Sequence, residues 1–263
     1  MSLVFAGITP HPPLLLSTIG KEETKKVEKT KKALLLMEQK LYASHPEVLI
    51  IISPHGSFFA DAFTINSCPE FETDFREFGD LATKIKFSGE TSLAYKIRKN
   101  AFTQNLPTAT ISEPRLDHGS GVPLYFLTAH LKNFSLLQLG FCSLPSKSHV
   151  EFGNVLQEII QNSDKRIAVI ASGDMSHALT SDSPAGFSPD GKKFDVKIQE
   201  LLSQQSISGL LQLPENFIES AAECGFRSIL ILLGILQGMR SNYKQLNYEG
   251  PFGVGYLTAY FEL

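Results

Sequence analysis

Two apolar segments of the chain end on the same short phrase, a hydroxyl residue followed by proline and histidine. The segment "LVFAGITPH" ends at His11, and "EVLIIISPH" ends at His55. A third apolar segment, "RIAVIASGDMSH", ends at His177. Neutral imidazole is the commonest metal ligand and the commonest general base, so three histidines after separate apolar segments predict a metal or acid–base site.

The proline before His11 and before His55 fixes the direction in which each histidine leaves its segment. Proline restricts its own φ and pushes the preceding residue towards extended geometry. A single histidine in such a place is more often a structural, hydrogen-bonded residue. Three of the seven histidines in equivalent places favour a common site.

His118 and two glutamates are further candidates for chemistry. His118 stands in "RLDHGSGVPLYFL", where Asp117 can orient the imidazole; the alternative is a helix-entry loop with a capping role.

The segment "FIESAAECGFRS" offers Glu219 and Glu223, and Glu223 directly precedes an apolar helix, where the helix dipole also favours an acidic residue. Two histidines and one carboxylate form the facial set that suits non-haem Fe(II). We interpret the other histidines, His45, His130 and His149, as structural.

The elements that must position these residues alternate along the chain. Short β-branched runs predict strands, several of them apolar at nearly every position, as in strands buried on both faces. Helical patterns lie between them, which predicts a largely parallel sheet covered on both faces. Ligands bind beyond the carboxyl ends of such strands, where the three histidines are expected. The longest polar connection begins at Ser172 and predicts a functional or mobile loop.

Composition narrows the class of protein. The chain has 263 residues, 43% of them hydrophobic, with 24 basic against 27 acidic residues, and we expect one domain over residues 1–263. The balanced charge gives no indication of a nucleic-acid partner. No apolar run reaches the roughly 20 residues needed to span a bilayer, and no secretory signal is evident, so we predict a cytoplasmic protein. The three cysteines show no C-x-x-C spacing.

Five motifs in order, "TPHPPLLL", "SPHG", "LDHGSGVPLYFL", "SGDMSH" and "ECGFRS", resemble the class III extradiol ring-cleavage dioxygenases. This is the family of the catalytic subunit of protocatechuate 4,5-dioxygenase. The resemblance implies a single-domain three-layer α/β/α sandwich with a mostly parallel or mixed sheet. It also implies an Fe(II) enzyme that opens a catechol-like or aminophenol-like ring with O2.

The resemblance assigns roles to individual residues. His11 and His55 match the iron-binding histidines, and Glu223 is the best match to the iron-binding carboxylate. His177 matches the acid–base histidine, and His118 matches a second pocket histidine that assists proton transfer. Related Memo-like proteins, and domains of the AmmeMemoRadiSam system, vary at the third ligand and can use cysteine there. Glu219 and Cys224 therefore stay open as alternatives to Glu223.

Two other functions remain open from the sequence. The same donor set could hold zinc or another divalent metal in a hydrolase, and a Memo-like module could bind a metal or peptide without turnover. The expected partners are a small aromatic substrate and O2, with either a homo-oligomer or a small partner subunit, and neither nucleic acid nor membrane. Four phenylalanines are expected to line the aromatic pocket: Phe58, Phe59, Phe187 and Phe252.

Overall fold

The computed structural model describes residues 2–263, and in this part of the chain eleven strands form one mixed sheet. The strands are β1 (Leu3–Thr9), β2 (Val48–Ser53), β3 (Phe63–Asn66), β4 (Glu70–Phe75), β5 (Asp80–Gly89), β6 (Thr108–Ile111), β7 (Arg115–Leu116), β8 (Ser135–Gly140), β9 (Ile167–Ser172), β10 (Asn242–Glu249) and β11 (Tyr256–Glu262). Their order is β10-β11-β1-β9-β2-β8-β5-β4-β7, and β3 pairs with β8 and β6.

Helices connect most of the strands. They are α1 (Ser17–Gly20), α2 (Glu28–Ala43), α3 (Thr91–Thr103), α4 (His118–Leu127), α5 (Ser146–Gln161), α6 (Gly191–Ser203), α7 (Ile207–Leu211), α8 (Glu215–Ser220) and α9 (Phe226–Leu236). Short 3-10 turns cover Pro13–Leu15, Lys21–Val27 and Arg76–Phe78.

The centre of the sheet is parallel. β1 runs parallel to β9, β9 to β2, and β2 to β8, whereas β11 is antiparallel to β1. In the β1–β9 register, Thr9 lies beside Ser172, so these two strands end side by side. β2 ends at Ser53 at the same edge of the sheet. The residues that follow β1, β2 and β9 therefore emerge next to one another.

The strands contribute side chains to two hydrophobic cores, one on each face of the sheet. Along β2, Val48, Ile50 and Ile52 join one core, whereas Leu49 and Ile51 join the other. The first core contains side chains from α3, α5, α6 and α9, and the second contains side chains from α2 and α4. This alternation follows from the two-residue period of a strand, and it confirms the predicted three-layer α/β/α arrangement.

The sequence-based assignment missed part of the sheet. β4 and β5 form an antiparallel pair in which most residues of β5 are exposed or half-buried. β4 alternates acidic residues with Phe71, Thr73 and Phe75, and β5 alternates lysines with Ile85 and Phe87. This two-residue period is a strand signal that the sequence-based assignment did not use. The segment "GVPLYFLTAHLKN" has a helical pattern, but α4 ends at Leu127, before the last residues of that segment. Within residues 2–263, no helix combines the length and the apolar character needed to cross a membrane.

Truncation of a central strand side chain tests the double-sided core. Leu49 is fully buried in β2, so Leu49→Ala should lower the free energy of unfolding by about 2–5 kcal/mol, because it leaves a cavity beneath α2 and α4. Leu81→Ala in β5 is the matched control, since Leu81 is 78% exposed; we expect a change within about 0.5 kcal/mol. Denaturant unfolding measures both, and equal losses would contradict this description of the core.

Candidate metal and acid–base site

Three of the predicted histidines converge at the carboxyl edge of the sheet. His11 follows β1, His55 follows β2 and His118 is the first residue of α4. One donor atom from each lies within 4.8 Å of the others, and Nε2 of His11 is 3.0 Å from Nε2 of His55. The rings of His55 and His118 stack with their centroids 4.4 Å apart.

The hydrogen bonds of Ser172 define the tautomer of His11. The Ser172 hydroxyl donates its proton to the carbonyl oxygen of Gly119 and lies 2.9 Å from Nδ1 of His11. Because that proton is already used, Ser172 Oγ accepts a hydrogen bond from Nδ1–H of neutral His11. Nε2 of His11 is left with a lone pair that faces His55. This is the arrangement that orients a metal-binding histidine.

The imidazoles of the cluster are uncharged near neutral pH. Burial, with the nearby rings of His55, His118 and His177, holds the pKa of His11 well below its ordinary value. Desolvation also lowers the pKa of His55 and of His118. The neutral form is the one that binds metals and accepts protons, so the donor set fits a divalent cation.

Asp117 positions two of these histidines without a hydrogen bond to either imidazole. Its carboxylate caps α4 by accepting the backbone N–H of Ser120 at 3.0 Å, and it accepts the hydroxyl proton of Ser53 at 2.6 Å. It also accepts the amide proton of Gln138, on β8, at 2.6 Å. The capping role inferred from the sequence is thus what this residue performs, and it links the end of β2 to the start of α4.

Gly119 allows this close approach. A Cβ atom at this position would lie 2.6 Å from Ser53 Oγ and 3.1 Å from Cδ2 of His55. Both contacts are shorter than ordinary van der Waals distances. Glycine is required here because α4 must begin directly against the end of β2, beside an imidazole of the cluster.

The loop that follows β9 has no regular secondary structure, but its first part is buried. A Cβ atom on Gly173 would lie 2.0 Å from Cα of Gly225, so the two loops touch through their backbones. Asp174 is 5% exposed and accepts the backbone N–H of His11 at 2.9 Å. Burial raises the pKa of the Asp174 carboxyl to about 7. Sequence reasoning gave Asp174 no role, and its position two residues after a buried strand is the signal that could have identified it.

His177 lies beside the cluster on this loop. Its backbone N–H donates to the carbonyl of Ala221 at 3.0 Å, and its carbonyl accepts the N–H of Ala185 at 3.2 Å. Burial, with the nearby His55, lowers the pKa of the His177 imidazole. Its buried Nδ1 atom has no hydrogen-bond partner among residues 2–263. The backbones of Ala222 and Met175 lie close enough to this imidazole to oppose the effect of burial on its pKa.

The structure separates the three candidates for a third ligand. The Glu223 carboxylate accepts the backbone N–H of Phe226 at the start of α9, and burial raises its pKa to about 7. Cys224 Sγ lies 3.6 Å from Nε2 of His11, and burial raises the pKa of its thiol well above the ordinary value. Glu219 is exposed on α8. Cys224 therefore contacts His11, whereas the Glu223 carboxylate caps the start of α9.

A cavity of about 650 Å³ opens next to His55 and His118. The aromatic side chain in its wall is Phe78, whose ring centroid is 5.3 Å from that of His118. The four phenylalanines expected from the sequence are not among the residues that line this cavity. Phe58, Phe59 and Phe187 are exposed elsewhere, and Phe252 packs against the core under α2.

Comparison with known proteins identifies relatives over nearly the whole chain. A family model described as the catalytic LigB subunit of aromatic ring-opening dioxygenase matches residues 6–259. Protein CA_C1420 of Clostridium acetobutylicum is 31% identical over 265 residues, which cover 97% of this chain and 57% of that protein. A MEMO1 family protein of Methanosarcina mazei is 27% identical over 120 residues, 45% of this chain and 42% of that protein. The chain spans about half the length of these curated relatives.

The fold also resembles a solved structure. The crystal structure of the uncharacterized protein JW3007 from Escherichia coli matches 98% of this chain and 99% of its own, with a TM-score of 0.65. The two sequences are 16% identical, so this likeness shows a shared fold.

A second buried carboxyl, that of Asp195, anchors the loop that carries His177. Asp195, on α6, is fully buried and accepts the backbone N–H of Ser176 at 2.8 Å and the hydroxyl proton of Tyr248, on β10. Burial raises the pKa of Asp195 from its ordinary value of 3.8 to about 6. Ser176, the residue before His177, is thereby connected to α6 and, through Asp195 and Tyr248, to β10.

The raised pKa of Asp195 predicts a pH-dependent stability. Between about pH 4 and pH 6 the folded protein keeps a proton on this carboxyl that the unfolded chain has lost, so the contribution of Asp195 to stability falls as pH rises. Asp195→Asn mimics the protonated carboxyl. We expect its stability relative to the wild type to increase by on the order of 3 kcal/mol from pH 4 to pH 7. Urea unfolding at several pH values measures this, and parallel curves for the two proteins would refute it.

Proposed function

The chain belongs to the family of the catalytic LigB subunit of aromatic ring-opening dioxygenases, and from this premise we propose that it is an Fe(II)-dependent extradiol dioxygenase. The proposed reaction opens a catechol-like or aminophenol-like ring with O2. The observation that carries the proposal is the convergence of three neutral imidazoles at the carboxyl edge of the sheet, with the lone pair of His11 Nε2 facing His55. A cavity large enough for one aromatic ring adjoins them.

His11 and His55 are the residues that we propose as metal ligands, and Glu223 remains the proposed third ligand from the family resemblance. A divalent cation nearby would favour the ionised form of the Glu223 carboxyl, whose pKa burial raises to about 7. Bound Fe(II) would supply a centre at which two ring oxygens and O2 can bind together and at which the ring hydroxyl is more acidic.

His177 and His118 are the proposed acid–base residues. Desolvation lowers the pKa of both imidazoles, so each is neutral near pH 7 and can accept a proton from a ring hydroxyl. The protonated imidazole can return that proton as the ring opens. Two contacts support these roles: His118 stacks on His55, and Asp195 anchors Ser176, the residue before His177.

Metal content tests the ligand assignment without reference to turnover. We expect His11→Ala and His55→Ala each to lose stoichiometric Fe(II) after anaerobic reconstitution, because each removes one nitrogen donor. His130→Ala is the matched control, since the His130 side chain is 74% exposed and lies outside the cluster. Elemental analysis measures the metal, and circular dichroism verifies the fold. Full occupancy in both cluster variants would refute the assignment.

The same measurement identifies the third ligand. Loss of metal in Glu223→Gln, with retention in Cys224→Ser and His118→Gln, would support the carboxylate. Loss in Cys224→Ser instead would move the ligand to the side chain that contacts His11, and loss in His118→Gln would move it to the third imidazole of the cluster. A thiolate ligand would shift metal preference towards softer ions than Fe(II) and would weaken the dioxygenase proposal.

Substitution of His177 separates catalysis from metal binding. We expect His177→Gln to keep iron but to consume O2 with a catechol at least about a hundredfold more slowly, since positioned acid–base groups contribute roughly 10²–10⁴-fold. Oxygen consumption over a panel of catechols and aminophenols measures the rate. Loss of iron would make His177 a ligand. If the wild-type protein holds iron but consumes no O2 with any compound in the panel, the chain is a metal-binding module without turnover.

A further inference from the structure

β6 is an edge strand of the sheet, and its outer side is open. Within residues 2–263 it pairs only with β3, to which it runs parallel. The backbone N–H of Phe63, on β3, donates to the carbonyl of Pro107 at 3.0 Å. Backbone groups of successive residues in a strand point to opposite sides, so those of Thr108 and Thr110 point away from β3. The open side of β6 therefore presents the N–H and carbonyl groups of both threonines.

These outward backbone groups are available to another chain. Thr110 is exposed and Thr108 is half-buried. No turn or loop hydrogen bond in the described part of the chain uses their backbone groups. A sheet edge in this state can accept an extended segment as an additional strand. Because β6 has only 4 residues, side-chain contacts must supply much of the affinity for such a segment.

A cavity of about 700 Å³ lies beside this edge, between β6 and α3. The side chains of Thr108 and Thr110 line it from β6. α3 lines it with residues spaced three and four apart, which share one face of the helix; they are Tyr95, Arg98, Lys99 and Phe102. A chain paired with β6 would direct alternate side chains towards this face of α3.

Two aromatic side chains of this face are open to solvent. Tyr95 is 63% exposed and Phe102 is 81% exposed, whereas Leu93 and Ile97 bury another face of α3 in the core. The two aromatic residues lie about two helical turns apart, a span of roughly 10 Å along the axis. About three residues of an extended chain cover that distance. The groove thus offers apolar contact over the length of a short added strand.

Positive charge lies between the two aromatic residues. Arg98 and Lys99 are exposed, and Asp61 is the acidic residue in the cavity wall. None of the ion pairs formed within residues 2–263 includes Arg98 or Lys99. An acidic segment would therefore offset charge that the described part of the chain leaves uncompensated.

From this combination we propose that the groove between α3 and β6 binds an extended acidic segment of a partner protein, which adds a strand to β6. Backbone hydrogen bonds to Thr108 and Thr110 would hold the segment in register. Its carboxylates would lie beside Arg98 and Lys99, and its apolar side chains would cover Phe102. None of the site histidines lines this groove, so the proposal is independent of the proposed ring cleavage.

The same features argue against two other occupants. Two copies of this chain paired through β6 would bring Arg98 and Lys99 of both copies to one interface, where like charges repel. A nucleic acid would match the positive charge, but its phosphate backbone cannot pair with the N–H and carbonyl groups of a strand edge. The net charge of −3 gives no further attraction for nucleic acid.

Two synthetic peptides test the groove directly. The acidic probe is acetyl-Thr-Glu-Thr-Phe-Thr-Glu-Thr-amide, which places both glutamates and the phenylalanine on one face when extended. The basic probe replaces both glutamates by lysine. Fluorescence anisotropy of the labelled peptides measures binding to the full chain. We expect saturable binding of the acidic probe, at least about threefold weaker binding of the basic probe, and a smaller difference at high salt.

Backbone methylation of the acidic probe tests the added strand. In a paired strand, the N–H groups of alternate residues face the neighbouring strand, and the others face solvent. N-methylation of the threonines in one peptide, and of the glutamates and phenylalanine in another, removes these two sets separately. One methylated peptide should bind at least about tenfold more weakly, because it lacks the donors that face β6, and the other should bind like the parent.

Variants of the protein locate the contact. Thr110→Pro removes an outward N–H without loss of a hydrogen bond to β3, since proline is tolerated on the open side of an edge strand, and it should weaken the acidic probe by at least about threefold. Thr110→Val keeps the N–H and should bind like the wild type. Lys99→Gln should reduce the preference for the acidic probe. Lys192→Gln is the matched control, since Lys192 is an exposed lysine on α6 outside the groove. If Thr110→Pro does not fold, the methylated peptides still decide the outcome.

Several results would overturn the proposal. These are equal binding of the two probes, absence of saturable binding of the acidic probe up to about 1 mM, and binding that survives both methylations. A dimer in solution that Thr110→Pro disrupts would assign the edge to a second copy of this chain. Tighter binding of oligothymidylate than of the acidic probe would assign the groove to nucleic acid. Each of these results leaves the ring-cleavage proposal unaffected.

Discussion

The carboxylate of Asp117 is the interaction on which the candidate site depends. It joins the end of β2, the side of β8 and the first turn of α4, three elements distant in sequence. His55 follows the first of these elements and His118 begins the third, so their stacked rings depend on a group that binds neither imidazole. Capping satisfies backbone donors of α4 that would otherwise lack partners. The same hydrogen bonds thus stabilise a helix and fix two donor atoms.

The sequence was sufficient to predict that the histidines follow the central strands, but it did not predict which side chains contact one another. His11, His55 and His177 could be predicted because buried parallel strands have recognisable composition and their carboxyl ends share one edge. The neighbours Glu223 and Cys224 could not be distinguished, because a shift of one residue before α9 decides which side chain faces His11. β4 and β5 alternate apolar and charged residues, but they lack the continuous apolar character by which the central strands were recognised.

Two electrostatic environments adjoin at this edge of the sheet. The imidazoles are neutral because burial disfavours their charged forms, and the Asp174 carboxyl behind them has a raised pKa for the same reason. In the wall of the adjoining cavity, hydrogen bonds from Arg76 and the charge of Arg115 lower the pKa of the Asp74 carboxyl in spite of its burial. The proposed metal centre and the proposed substrate surface therefore differ in charge although they share His55 and His118.

The hydrogen bond between His11 and Ser172 also determines how a cation would exchange with the solvent. With its proton fixed on Nδ1 and its Nε2 bare, His11 releases no proton when it becomes a ligand. Binding of a metal ion by Nε2 of His11 is then independent of pH near neutrality. A buried carboxyl or thiol at the third position would have to lose its proton first, so the identity of the third ligand decides how strongly metal binding depends on pH near neutrality.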